Sequence, residues 1–169
     1  DLLRYDKLAQ TIIFTSQGIP FMFNGEEVFR SKKLVHNSFE SPDSINRINW
    51  MNKSVYYDLF DYYKKLIALR KNHAAFRMVA ASDIQSNLHF AEHLPENVIA
   101  YRLDGKAAGD VWSEIFVAFN GSNSSREISI PEGNWTIVCL DGKIDESGIT
   151  SVSGNKMNLP RSSAVILKR

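Results

Sequence analysis

Apolar residues near the start of the chain recur at three-to-four spacing. Leu2, Leu3, Tyr5, Leu8, Ile12 and Ile13 fall on one stripe and predict an amphipathic helix over about residues 1–15. Gly18 interrupts it, and Ile19 to Phe23 is then a short, nearly continuous apolar run closed by Asn24-Gly25. Such a run between turn formers predicts a strand buried on both faces, of the kind found in parallel sheets. The helical period returns from about Val55 to Asn72 through Tyr56, Leu59, Phe60, Tyr63, Leu66, Ile67 and Leu69, with Ser54 as the expected N-cap. Between these elements, residues 31–54 are polar and rich in Ser and Asn, and a connection that long in a packed domain is usually functional. Residues 1–72 therefore read helix, strand, long loop, helix, an alternating α/β order.

After Phe76 the pattern changes. Short apolar runs recur between turn signals: Val98–Leu103 before Asp104-Gly105, Glu114–Phe119 before Asn120-Gly121, and Glu127–Ile130 before Pro131-Glu132-Gly133. Trp135–Leu140 before Asp141-Gly142 and Ala164–Leu167 complete the series. This spacing predicts an antiparallel β-sandwich. The break near residues 73–79 sets the expected boundary, giving an α/β part over 1–76 and an all-β part over 77–169.

Composition narrows the function classes. The 169 residues include 20 basic and 19 acidic side chains, a net charge of +1 spread without blocks, so neither nucleic acid nor an anionic membrane is an expected partner. No apolar run approaches the roughly 20 residues of a membrane span. The single Cys139 excludes an internal disulfide. Sequons at Asn52, Asn120, Asn123 and Asn134 carry little weight in Asn/Ser-rich sequence. The first residue is Asp1, inside a helical pattern, so the natural N-terminus is expected elsewhere. His36, His73, His89 and His93 form no metal-ligand spacing, and His73 falls at a helix end, where a cation is favoured by the last carbonyls.

Three segments carry a family resemblance. G-I-P-F-M-F-N-G-E-E-V-F-R-S-K at 18–32 resembles the eighth barrel strand of the α-amylase family (glycoside hydrolase family 13). H-N-S-F-E-S-P-D-S-I-N-R-I-N-W at 36–50 is similar to the long loop that follows this strand in type I pullulanases, the starch-debranching members. Y-Y-K-K-L-I-A-L-R-K-N-H-A-A-F-R at 62–77 resembles the final barrel helix running into a C-terminal domain. The loop motif is the narrowest of the three. It departs from the pullulanase pattern at Asn49, where Asp is common, which puts any charge-dependent role there in doubt.

The resemblance implies a fold: the last elements of a TIM (β/α)8 barrel (helix 7, strand 8, long loop, helix 8) followed by a C-terminal antiparallel β-sandwich. It implies a function: the C-terminal portion of a glycosidase that cleaves α-1,6 linkages in pullulan and branched α-glucans. Retaining hydrolysis needs two carboxyl groups about 5–5.5 Å apart. In this family these arise on earlier strands, so no catalytic residue is expected in this chain, and alone it is expected to be inactive. Glu26 and Glu27, as neighbours on an extended chain, would point to opposite sides and cannot easily flank one bond. Asn46 and Arg47 are expected to donate hydrogen bonds to glucose hydroxyls and Asp43 to accept them, although Asp43 also suits a turn after Pro42. Phe39 and Trp50 offer apolar faces to a sugar ring, Trp50 being equally suited to closing the loop as a core residue. No cofactor is implied, and the family's calcium sites would lie upstream. The expected partners are an α-glucan and the upstream barrel of the same chain. Two alternatives stand beside this reading: a non-catalytic carbohydrate-binding sandwich, and the same region of an isoamylase, branching enzyme or amylase.

Overall fold

A computed structural model describes all residues, 1–169. Helix α1 (Leu2–Thr15) forms where the apolar period predicts it and buries Leu8, Thr11, Phe14 and Thr15. Thr11 and Thr15 are buried in it because each hydroxyl donates back to the carbonyl four residues earlier, at 2.6 and 2.7 Å. The helix ends at extended Ser16. Its last carbonyls are met by the buried Arg70, whose guanidinium donates to Phe14 O at 2.9 Å and Ser16 O at 2.7 Å and also reaches Gly18 O.

The predicted strand at Ile19–Phe23 does not form. Ile19 is 98% and Phe21 84% exposed, and no strand of the chain pairs with this stretch. A strand of the buried parallel type needs neighbours on both edges and cover on both faces. The described residues supply neither, so the apolar run stands open.

The polar stretch 31–54 contains two single turns of helix, α2 (Asp43–Asn46) and α3 (Asn52–Val55). Ser54 lies inside α3 rather than capping the next helix, and Tyr56 takes the N-cap place of α4 (Tyr57–Asn72). Helix α4 buries Leu59, Tyr62, Tyr63, Leu66, Leu69 and Arg70 on one stripe. It lies against α1, with Tyr62 Oη 2.6 Å from Thr11 Oγ1 and Tyr63 donating to Asp6 Oδ1 at 2.6 Å. A short helix, α5 (Ala81–Asn87), then leads into the sheet.

All seven strands belong to one antiparallel sheet: β1 (Leu88–Phe90), β2 (Val98–Leu103), β3 (Ile115–Asn120), β4 (Arg126–Leu140), β5 (Lys143–Ile144), β6 (Thr150–Leu159) and β7 (Ser163–Lys168). Their order is β1-β2-β3-β7-β4-β5, with β6 also on β4. The two strands predicted at 127–130 and 135–140 are one. Pro131-Glu132-Gly133 makes a bulge, with the β4–β6 register shifting between Ser129 and Gly133, instead of a turn. A bulge is where a strand tolerates a Pro that has no N–H to give.

Alternation on the central strands builds a core on each face. Ile115, Val117, Phe119, Ala164 and Ile166 meet Leu8, Phe14, Tyr62 and Leu66 of the helices. Phe116, Ala118, Val165 and Leu167 meet Ile128, Ile130, Met157 and Leu159 from the far half of the β4–β6 ribbon. The ribbon bends at its bulge and returns over the second face, so one continuous sheet gives a sandwich-like arrangement. Each large apolar side chain fully buried here contributes about 1.5–3 kcal/mol.

Candidate functional site

The loop after Gly25 lines an open cleft. The chain turns at Gly25, whose φ of +99 glycine adopts without strain, and a Cβ there would also meet the Arg30 side chain at 2.7 Å. The next residues, Glu26–Val28, form a 3₁₀ turn and not an extended pair. Glu26 accepts from Gln10 Nε2 at 3.1 Å and from the Phe23 N–H at 3.2 Å, while Glu27 accepts from the Gly25 N–H at 3.0 Å. Both carboxylates therefore hold the turn in place.

Beyond the turn lies an open cleft of about 700 Å³. Phe29 and Tyr56, with ring centroids 5.1 Å apart, form part of its lining, and Arg30, Lys32, Lys33 and Arg47 supply the charge. Of the three residues expected to touch substrate, Arg47 lines this cleft, is exposed, and has no ion-pair partner. Asn46 stands behind it. Its Nδ2 donates to Ser38 O at 2.8 Å and Ser41 O at 2.7 Å, and its Oδ1 accepts from Lys32 Nζ at 2.6 Å. With its backbone oxygen also taken by Arg30, the Asn46 amide is committed to holding the loop together. Asp43 is exposed in the first turn of α2, outside the cleft lining, where its charge suits the helix N-terminus. Phe39 and Trp50 are 87% and 61% exposed and also lie outside the lining, so Trp50 does not close the loop as a core residue. Arg30 and Lys32, which the loop motif did not single out, are the residues that bind Asn46 to the cleft wall. The R-S-K-K run at 30–33 was the available signal.

A second polar cluster lies under the end of α4. His73 is the C-cap of that helix and is 2% exposed. Its Nδ1 lies 2.8 Å from Asp110 Oδ1, and its ring stacks on Trp112 with centroids 3.4 Å apart. Burial alone would raise the Asp110 carboxyl, but hydrogen bonds from His73 and from the Ala75 and Trp112 N–H groups outweigh it and hold the pKa below the ordinary value. With Asp110 ionised, Nδ1–H of His73 is the donor. No group of three or more His, Cys, Asp and Glu side chains converges on a metal-sized site. Trp112 and Trp135, the two tryptophans of the sheet half, form no open sugar platform. Trp112 is covered by His73 and Lys168, and Trp135 is 1% exposed with its Nε1–H donated to Pro131 O at 2.7 Å.

Comparison with known proteins decides the family. The family described as "Pullulanase, all-beta domain" matches residues 84–143, from within α5 to the start of β5. The pullulanase of Bacillus subtilis (strain 168) is 42% identical over 125 residues, 74% of this chain and 17% of that protein. The solved pullulanase of Bacillus acidopullulyticus superposes with a TM-score of 0.94 at 41% identity, covering 99% of this chain and 20% of that one. The chain belongs with the type I pullulanases. It spans about a fifth of the length of the pullulanases it matches. The pullulanase of Anoxybacillus sp. LM18-11, solved in complex with maltotriose, is 30% identical with a TM-score of 0.86, over 99% of this chain and 23% of its own. Since 99% coverage runs through the helices as well as the sheet, pullulanase kinship extends over both halves of the fold.

Proposed function

We propose that this chain is the C-terminal portion of a starch- and glycogen-debranching enzyme that hydrolyses α-1,6-glucosidic linkages with retention. Residues 1–76 supply helix 7, strand 8, the long loop and helix 8 of a (β/α)8 barrel, and residues 77–169 supply the C-terminal sandwich. The catalytic carboxylates belong to barrel strands outside this sequence. The observation that carries the reading is the superposition at a TM-score of 0.94 over 99% of the chain on a pullulanase.

The open run Ile19–Phe23 fits this role. Its apolar side chains and unpaired backbone are what a barrel strand presents when its neighbours come from elsewhere in the same protein. The loop at 36–50 then sits at the strand's C-terminal side, where (β/α)8 enzymes place their substrate-handling groups. Arg47 is the residue placed to donate to an α-glucan, Asn46 sets its position, and Asp43 accepts at the loop's outer side. The partner is an α-glucan chain, in keeping with the maltotriose in the Anoxybacillus complex.

The isolated chain tests one half of the proposal. Incubated with pullulan or amylopectin it releases no reducing ends, and sustained release by the pure chain would overturn the placement of the catalytic acids outside it.

A further inference from the structure

The cleft between residues 29–34 and α2 carries four cationic side chains, Arg30, Lys32, Lys33 and Arg47, and not one carboxylate lines it. None of the four takes part in an ion pair, although Arg4, Lys65, Arg102, Lys156, Arg161 and Arg169 elsewhere all do. Arg30 is held by Asn24 O at 3.0 Å and by Asn46 O, and its buried Nε has no partner. Lys32 is tied to Asn46 Oδ1 at 2.6 Å. Lost hydration, and next the Arg30 guanidinium beside it, push the Lys32 ammonium below its ordinary value. The backbone under these charges is unusual as well. Phe29, Lys33 and Leu34 have φ of 55, 51 and 63, a left-handed conformation that bulky side chains rarely adopt outside functional segments.

Like charges crowded without counter-charges make a seat for an anion. Guanidinium forks match the oxygens of a phosphoryl group, and ammonium groups add charge at its rim. The same cleft has an apolar side, the tilted pair Phe29 and Tyr56 with centroids 5.1 Å apart, and its volume of about 700 Å³ falls in the range of small-molecule sites, roughly 300–1,000 Å³. We propose that this cleft binds a phosphorylated sugar, with the phosphomonoester against Arg30, Lys32, Lys33 and Arg47 and the sugar ring against Phe29 and Tyr56. The phosphoryl half stands on the charge arrangement alone, while the choice of a glucose unit rests on the α-glucan reading above. Against a neutral glucan, this site would favour glucose units that carry phosphate.

Calorimetric titration of the full chain at low ionic strength with glucose 6-phosphate, inorganic phosphate and maltotriose tests it. Glucose 6-phosphate binds, inorganic phosphate competes with it and binds more weakly, and added salt weakens both. Lys33→Ala weakens both phosphates by about tenfold and leaves maltotriose unchanged. Phe29→Leu lowers glucose 6-phosphate toward the affinity of inorganic phosphate. Because Lys33 is exposed, its variant folds, and circular dichroism identical to the parent chain verifies this. Absence of binding by both phosphates, or binding indifferent to Lys33→Ala, overturns the anion site. Equal affinity for the two phosphates, unaffected by Phe29→Leu, overturns the sugar half in favour of free phosphate. Maltotriose failing where glucose 6-phosphate binds counts against the neutral-glucan reading and supports the phosphoryl preference.

Discussion

The imidazole of His73 and the carboxylate of Asp110 are bonded at 2.8 Å in the interior, with side chains 2% and 0% exposed. This contact joins the end of α4 to the loop between β2 and β3, since Asp110 also accepts the N–H groups of Ala75 at 3.0 Å and Trp112 at 2.9 Å. Asp110→Ala strands three donors at once and is expected to lower stability by about 3–5 kcal/mol, read from urea denaturation. Asp110→Asn keeps the shape and one acceptor oxygen, so its loss is smaller.

The pH dependence of that loss follows from the depressed Asp110 pKa. A carboxyl lower in the folded than in the unfolded chain stabilises fully above the unfolded value, near 3.8, and ceases to do so as pH falls through the folded value. The Asp110 contribution to the stability difference between the parent chain and Asp110→Asn therefore shrinks as pH falls below about 4. Urea midpoints measured down the acid limb check it, and a difference that widens with acid would contradict the assignment.

Arg70 closes the end of α1 by donating to the carbonyls of Phe14, Ser16 and Gly18. Arg70→Met removes the donors and leaves the buried Phe14 carbonyl unpaired, at a cost of about 1–3 kcal/mol, while the part-buried carbonyls of Ser16 and Gly18 turn to water. Arg70→Lys does not restore the parent stability, because a point charge cannot span three carbonyls as a planar fork does. Hydrogen exchange should speed up first at residues 16–18.

Cys139 has no exposed surface, and burial pushes its thiol up to about 12. Its sulfur faces Tyr62 Oη at 3.6 Å and Ala164 O at 3.8 Å. A thiol reagent at neutral pH is expected to label the native chain only at the rate of global opening and to label it fully in denaturant. Rapid labelling of the native chain would show that the helix–sheet core is open in solution.

Much of this architecture was legible in the chain, and the gaps have physical causes. Helices α1 and α4 announce themselves because their buried positions follow the helical period, and strands β2, β3 and β7 because each is a short apolar run between turn signals, β3 and β7 being buried at nearly every position. Strand β6 escaped because it exposes most of both faces, so T-S-V-S-G-N-K carries no alternation to read. The bulge in β4 looks like a turn because Pro131 and Gly133 suit both. Residues 19–23 have the composition of a buried strand, but no strand of the chain pairs with them, so periodicity alone could not foresee an open segment. In the candidate site, the loop motif drew attention to Asn46 and Arg47 together. Only the geometry separates an amide engaged on Lys32, Ser38 and Ser41 from a guanidinium free to meet a ligand. The His73–Asp110 pair joins residues 37 apart in sequence and left no local signal.

Asn120 shows the same limit for a motif. Its sequon lies in a turn signal, yet the side chain is fully buried, donating to Ser124 O at 2.8 Å and Pro160 O at 3.0 Å and accepting from Ser122. Asn120→Ala is expected to cost about 2–4 kcal/mol in thermal or urea unfolding, whereas Asn134→Ala, at an exposed sequon, changes stability by less than about 0.5 kcal/mol.

The proposal that this chain is part of a debranching enzyme is tested most directly by grafting. Residues 1–169 are exchanged for the corresponding stretch of the Bacillus subtilis pullulanase, and release of reducing ends from pullulan is measured for the folded chimera. The account predicts cleavage of pullulan, lost when the catalytic carboxylates of the recipient barrel are replaced by their amides. A folded chimera that leaves pullulan intact would contradict it.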